Sequence, residues 1–169
     1  HGSMTMEMFA KLNYSDYKTR IADKLVNKAY DRVSLMMHER KGSSAWSLYA
    51  SALTSAPELV LLGVLANGEV AAATVSVDAT FMSKWHHYAV VYDALNLKLE
   101  LWVDYARLLE KSLSAPLDYT QETAYHLGNG GSNQPFDGLI DEVRLTARVL
   151  SSGEFLRQEG APGMTVIVR

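Results

Sequence analysis

Apolar and polar residues alternate with a period of two along much of this chain, most regularly from Leu59 onward. Leu59 to Leu65 is a short apolar run of strand length. Asn67-Gly68 follows, a pair that tolerates positive φ and so predicts a hairpin turn. Val70 to Val77 makes the next strand. From His87 to Tyr92 both faces are apolar, as expected of a central strand covered on each side. Leu97, Leu99, Leu101 and Val103 alternate with Lys98, Glu100, Trp102 and Asp104, which predicts a strand with one buried face. Gly128 to Gln134 is a glycine- and asparagine-rich loop, and Val143 and Leu145 resume a strand. Ser151 and Glu154 fit a capping box, predicting a short C-terminal helix over Ser152 to Gln158. Pro162-Gly163 then turns the chain into a last short strand, Met164 to Val168.

The N-terminal third is less regular. Met4 to Leu12 places Met6, Met8 and Ala10 on one strand face. Asp16 to Met37 offers helical spacing at Ile21, Leu25, Ala29 and Val33, and strand spacing at Val33, Leu35 and Met37. Periodicity does not decide between them; a helical or irregular insert within 16–30 is expected, then a strand from Arg32 to Glu39 and another from Trp46 to Ala50.

Bulk composition narrows the function classes. The chain has 169 residues, 48% of them hydrophobic and 21% charged, which suits one soluble domain. A net charge of −3 leaves no basic surplus for phosphate, so nucleic acid is not an expected partner. No apolar stretch reaches the length of a membrane span, and no membrane insertion is expected. Without cysteine there are no disulfides, thiolate metal sites or cysteine nucleophiles. His1 to Met4 reads as an expression scar, leaving 5–169 as a single domain.

Five segments occur in an informative order. They are Trp85-His86-His87-Tyr88-Ala89-Val90-Val91-Tyr92-Asp93, Leu101 to Asp104, Leu127 to Gly131, Phe136-Asp137-Gly138-Leu139-Ile140-Asp141-Glu142-Val143-Arg144-Leu145, and Leu150 to Glu154. In this order they resemble the laminin-G-like, concanavalin A-like jelly-roll family over about Trp46 to Phe155. The resemblance implies an all-β fold of two packed antiparallel sheets with a short C-terminal helix. It also implies a non-catalytic ligand-binding module, from an extracellular or cell-surface protein. Two departures stand out. Tyr105 replaces the family's hairpin glycine after Asp104, so a longer or different turn is expected, because a bulky side chain resists positive φ. The strand that usually opens the domain is missing, and Met164 to Val168 is expected to take its place.

Candidate sites follow from residue chemistry. Asp141 lies in phase with Val143 and Leu145, which points its carboxylate inward. The resemblance then suggests a structural Ca²⁺ held by Asp141, with Asp137 as a second ligand. The adjacent His86 and His87 point to opposite strand faces and cannot chelate together, so both read as framework, and Trp85 reads as packing. Trp102 points away from Leu101 and Val103 and could stack on a sugar, with Trp46, Tyr49 and Tyr105 as further aromatic platforms. Asn129, Ser132, Asn133 and Gln134 suit sugar hydroxyls from a loop at one end of the sandwich.

The resemblance, together with these aromatic side chains, implies carbohydrate as the ligand. A structural or protein-interaction domain, including a strand-pairing homodimer, is the alternative. A divergent polysaccharide-degrading enzyme ranks last. Glycoside hydrolysis needs a pair of facing carboxylates, and no acidic run of the usual kind is present.

Overall fold

Alternation becomes two sheets because each strand can bury only one row of side chains against a partner layer. The computed structural model describes residues 2–13, 32–40, 43–51, 57–120, 122–128, 136 and 138–157. Among these residues are ten strands: β1 (Met4–Leu12), β2 (Arg32–Arg40), β3 (Ser43–Ser51), β4 (Glu58–Val64), β5 (Val70–Ser76), β6 (His86–Asp93), β7 (Lys98–Val103), β8 (Ala106–Ser112), β9 (Glu122–Leu127) and β10 (Gly138–Thr146). A four-residue helix, α1 (Ala79–Met82), links β5 to β6. One antiparallel sheet has the order β10-β1-β6-β7-β8, the other β5-β4-β3-β2-β9, forming a jelly-roll sandwich. None of the described helices is long and apolar enough to cross a membrane.

The core lies between the sheets. Met4, Met6, Met8, Ala10 and Leu12 of β1 join Tyr88, Val90 and Tyr92 of β6 and Leu99, Leu101 and Val103 of β7. Leu35, Met36, Trp46, Leu48, Leu59 and Leu61 belong to the same cluster from the other sheet. Complete burial of such a side chain stabilises by roughly 1.5–3 kcal/mol before entropy is counted. Met4, set apart above as part of an expression scar, is the first residue of β1 and is buried. Strand β6 is buried on both faces, as its composition predicts. Its second face meets a separate cluster of Ala89, Val91, Leu150 and Phe155. The segment after β10 thus lies over the outside of the first sheet as a strap.

Several local features depart from the sequence reading. The C-terminal helix is a single 3-10 turn, Ser152–Glu154, although its capping box forms as predicted. Gln158 lies outside the described residues, as do the insert 16–30 and the strand Met164 to Val168. The turn after β7 is neither long nor unusual in type. Asp104 (φ 49°) and Tyr105 (φ 69°) form a two-residue hairpin between the paired Val103 and Ala106. Positive φ at both central positions is the type I′ geometry, whose twist suits a hairpin.

The largest correction concerns β10. Asp141 pairs with Phe9 and Arg144 with Glu7, so two residues of β10 oppose one of β1. Glu142 occupies this bulge at φ 46°. The bulge reverses the phase of the strand. Ile140, Val143 and Leu145 all pack on the core, whereas Asp141 shares the outer face with Phe9.

Candidate functional site

The outer face of the first sheet is built from residues that the core excludes. On β7, Leu99, Leu101 and Val103 point inward, leaving Lys98, Glu100 and Trp102 outside. Opposite them on β8 stand Ser112, Glu110 and Arg107 respectively. A second bulge, between the pairs Leu101–Leu109 and Trp102–Arg107, lets Arg107 and Glu110 face the same way three residues apart. The extra residue, Leu108, is exposed.

Trp102 is half-buried and held from several sides. Its indole N–H donates to Glu100 Oε2 at 2.7 Å. Phe155 of the strap meets the ring edge-on at 5.7 Å, and the Arg107 guanidinium lies over it at 5.9 Å. Arg107 Nη1 donates to Glu100 Oε1 at 3.1 Å and also to Glu110. Lys98 Nζ sits 3.0 Å from the other Glu110 oxygen. The hydrogen bond from Lys98 and the charge of Arg107 hold Glu110 below the usual carboxylate range. Glu100 and Glu110 in turn raise Arg107.

Tyr105 is the neighbouring aromatic. Its ring stacks on His87 at 5.0 Å, and the Arg157 guanidinium lies over it at 3.7 Å. Beneath it is a buried ionic cluster. His87 Nε2 donates to Glu7 Oε2 at 2.8 Å, and both side chains are wholly buried. Arg144 Nε donates to Glu7 at 2.6 Å, and the Leu156 backbone N–H does so at 2.8 Å. Burial alone would push the Glu7 carboxyl up. The hydrogen bonds from His87, Leu156 and Arg144 outweigh it and bring the group below its ordinary value. His86, on the opposite face of β6, approaches Asp104 Oδ2 at 2.6 Å and the Phe81 carbonyl at 2.9 Å, and stacks on Phe81. The two histidines are framework, tied to different partners.

The structure divides the sequence-derived candidates. Trp102 and Tyr105 come together on one face, bridged by Phe155 and His87. Trp46 does not join them. It is fully buried because it shares the inward face of β3 with Leu48 and Ala50. Tyr49 is buried as well, so neither ring is a surface platform. Asn129, Asn133, Gln134 and Asp137 lie outside the described residues. Asp141 accepts the Glu142 N–H at 2.9 Å, and among the described residues no three metal-ligating side chains converge. One carboxylate with an oxygen already engaged does not by itself fit a Ca²⁺ site.

Sequence reasoning missed Arg107 and Glu110, because the bulge in Ala106–Ser112 hides its alternation. It also gave no role to the exposed Tyr125 and read Trp85 as packing. Tyr125 stacks on His38 at 4.1 Å and is 41% exposed, and Trp85 is 38% exposed rather than packed inside.

Known proteins place this arrangement in context. The laminin G model of the concanavalin A-like lectin/glucanases superfamily matches residues 1–154. The chain belongs to this superfamily. No curated protein matches it. Three solved structures share the superfamily fold at low identity. A carbohydrate-binding module of the Ruminococcus gnavus IT-sialidase, bound to α2,3-sialyllactose, superposes with TM-score 0.64 and 16% identity over 90% of this chain and 80% of that one. Domain 4 of AbnA, an extracellular arabinanase of Geobacillus stearothermophilus in complex with arabinotriose, gives 0.57 and 13% over 91% and 66%. A Bacteroides ovatus protein proposed to bind carbohydrate gives 0.60 and 17% over 90% of this chain. The chain spans only 39% of that protein.

Proposed function

We propose that this chain is a non-catalytic carbohydrate-binding module whose binding surface is the outer face of β7 and β8, centred on Trp102. The observation that carries the reading is the anchored indole. Trp102 keeps part of its ring at the surface while Glu100, Phe155 and Arg107 fix its orientation. A rigid apolar ring beside charged groups matches a sugar, which has apolar C–H faces and a rim of hydroxyls. The sialyllactose and arabinotriose complexes of the neighbouring folds support sugar as the ligand class.

The charge pattern favours binding over hydrolysis. A glycosidase needs one carboxyl raised to act as an acid. Here Glu100 and Glu110 share Arg107, and Glu110 is lowered.

A thermal-shift screen against soluble glycans, sialyllactose and arabino-oligosaccharides included, tests the proposal. At least one glycan should raise the melting temperature of the wild type, because it binds only the native state. Trp102→Ala should abolish that shift while still folding. A shift that persists in Trp102→Ala would remove the site, and no shift with any glycan would remove the function. A calcium arm uses Asp141→Ala. A calcium shift lost in that variant would make Asp141 a ligand.

Leu139 supports a second reading. It is 59% exposed on β10, a strand with one neighbour among the described residues, and could accept a strand from another chain. A dimer in sedimentation that Leu139→Lys dissociates would favour that reading.

A further inference from the structure

Resting on the carbohydrate reading, we infer that the face around Trp102 selects uncharged glycans over anionic ones. The charges beside the indole cancel. Lys98 and Arg107 supply two positive charges, Glu100 and Glu110 two negative ones, and every one of the four is paired within the face. Arg107 bridges both carboxylates, and Lys98 is held by Glu110.

The arginines of the strap and of β10 are engaged too. Arg157 donates to the Ser152 carbonyl at 2.8 Å, Arg148 pairs with Glu154 at 2.8 Å, and Arg144 is bound to Glu7. A net charge of −3 on the whole chain provides no field to draw in anions.

This lattice treats the two ligand classes differently. A carboxylated or sulfated sugar must win Arg107 or Lys98 from Glu100 and Glu110, or lie against those carboxylates and be repelled. A neutral sugar has no such conflict. Its hydroxyls can donate to Glu100 or Glu110 and accept from guanidinium N–H groups that the ion pairs leave over, because arginine carries five donors. The ion pairs then serve as a ready-made set of donors and acceptors around a stacking ring.

The test uses pairs of probes differing in charge: lactose against 3′-sialyllactose, and galactan against polygalacturonate, by calorimetry at low and physiological salt. The expected result is binding to a neutral member, with its charged counterpart weaker by at least about five-fold, a difference near 1 kcal/mol. Glu110→Gln removes one partner from both Arg107 and Lys98. It should strengthen binding of the anionic members by about two- to five-fold, the usual worth of a surface ion pair. Tighter binding of an anionic member by the wild type would overturn this selectivity while leaving the carbohydrate reading in place. Silence on every pair would overturn the selectivity, and the carbohydrate reading with it if the wider glycan screen is silent too.

Discussion

Tyr105 occupies a backbone conformation that most L-residues avoid, with φ 69°, and its ring accounts for its presence. A left-handed non-glycine residue costs roughly 1–2 kcal/mol. Stacking on His87 and under Arg157 returns a similar amount, since aromatic pairs contribute about 0.5–1.5 kcal/mol and cation–π contacts about 0.5–2 kcal/mol. Two substitutions separate these effects. Tyr105→Gly loses the stack and the strain together and should change stability little. Tyr105→Ala loses the stack but keeps the strain, and chemical denaturation should find it less stable than the glycine variant by about 1 kcal/mol. An alanine variant as stable as the glycine variant would mean that the backbone there is unstrained. Gly138 is the opposite case, a position set by space. A Cβ there would lie 2.1 Å from the Lys11 carbonyl oxygen, on the rigid backbone of the paired strand. Gly138→Ala should therefore cost more than about 2 kcal/mol or force β10 away from β1. The importance of the Phe-Asp-Gly run was legible in the sequence. The reason for its glycine was not, because the close approach is to a residue 127 positions earlier in the chain.

At the scale of elements, the bulge in β10 decides what Asp141 can do. Counting by twos from Val143 places Asp141 inward. One left-handed residue, Glu142, turns it out. Period-two reasoning has no signal for such an insertion, since Glu is not a residue that announces positive φ. Glu142→Gly should relax this bulge and raise stability by about 0.5–1 kcal/mol, measurable by urea denaturation. The Glu7 cluster works on the same scale, tying β1, β6, β10 and the strap together through one carboxylate. Its folded-state pKa is lowered from 4.5. The resulting stabilisation is complete above that unfolded value and fades as the pH falls through the folded value. The wild-type melting temperature should thus drop on acidification below about pH 4.5. Glu7→Gln should lose about 3 kcal/mol at neutral pH, by leaving buried partners unsatisfied, and should show a flatter acid limb. An acid limb identical to that of the wild type would show that Glu7 does not set it. Nothing in the local sequence around Glu7 marks it as buried. Its partners lie on distant strands, beyond the reach of a periodicity argument.

For the whole molecule, the two-sheet jelly roll was largely readable, because β1 and β4 to β7 carry alternation or continuous apolar runs and β10 carries the family's closing segment. The binding face was readable only in part. Trp102 stood out because it alternates with Leu101 and Val103, whereas Trp46 and Tyr49 looked equivalent until packing buried them. Arg107 and Glu110 were hidden by a bulge, and no sequence rule says that they would neutralise each other beside the indole. The central claim is that sugar docks on Trp102 on the outer face of the first sheet. The chain has three tryptophans, so its amide NMR spectrum should contain three indole N–H signals, with Trp102→Ala identifying one of them. Titration with the tightest-binding glycan is the most direct test. The Trp102 signal should move most, because its N–H is tied to Glu100 within the proposed contact, while the signal of buried Trp46 stays still. Movement confined to Trp85, or a Trp102 signal unchanged at saturating glycan, would place the sugar elsewhere.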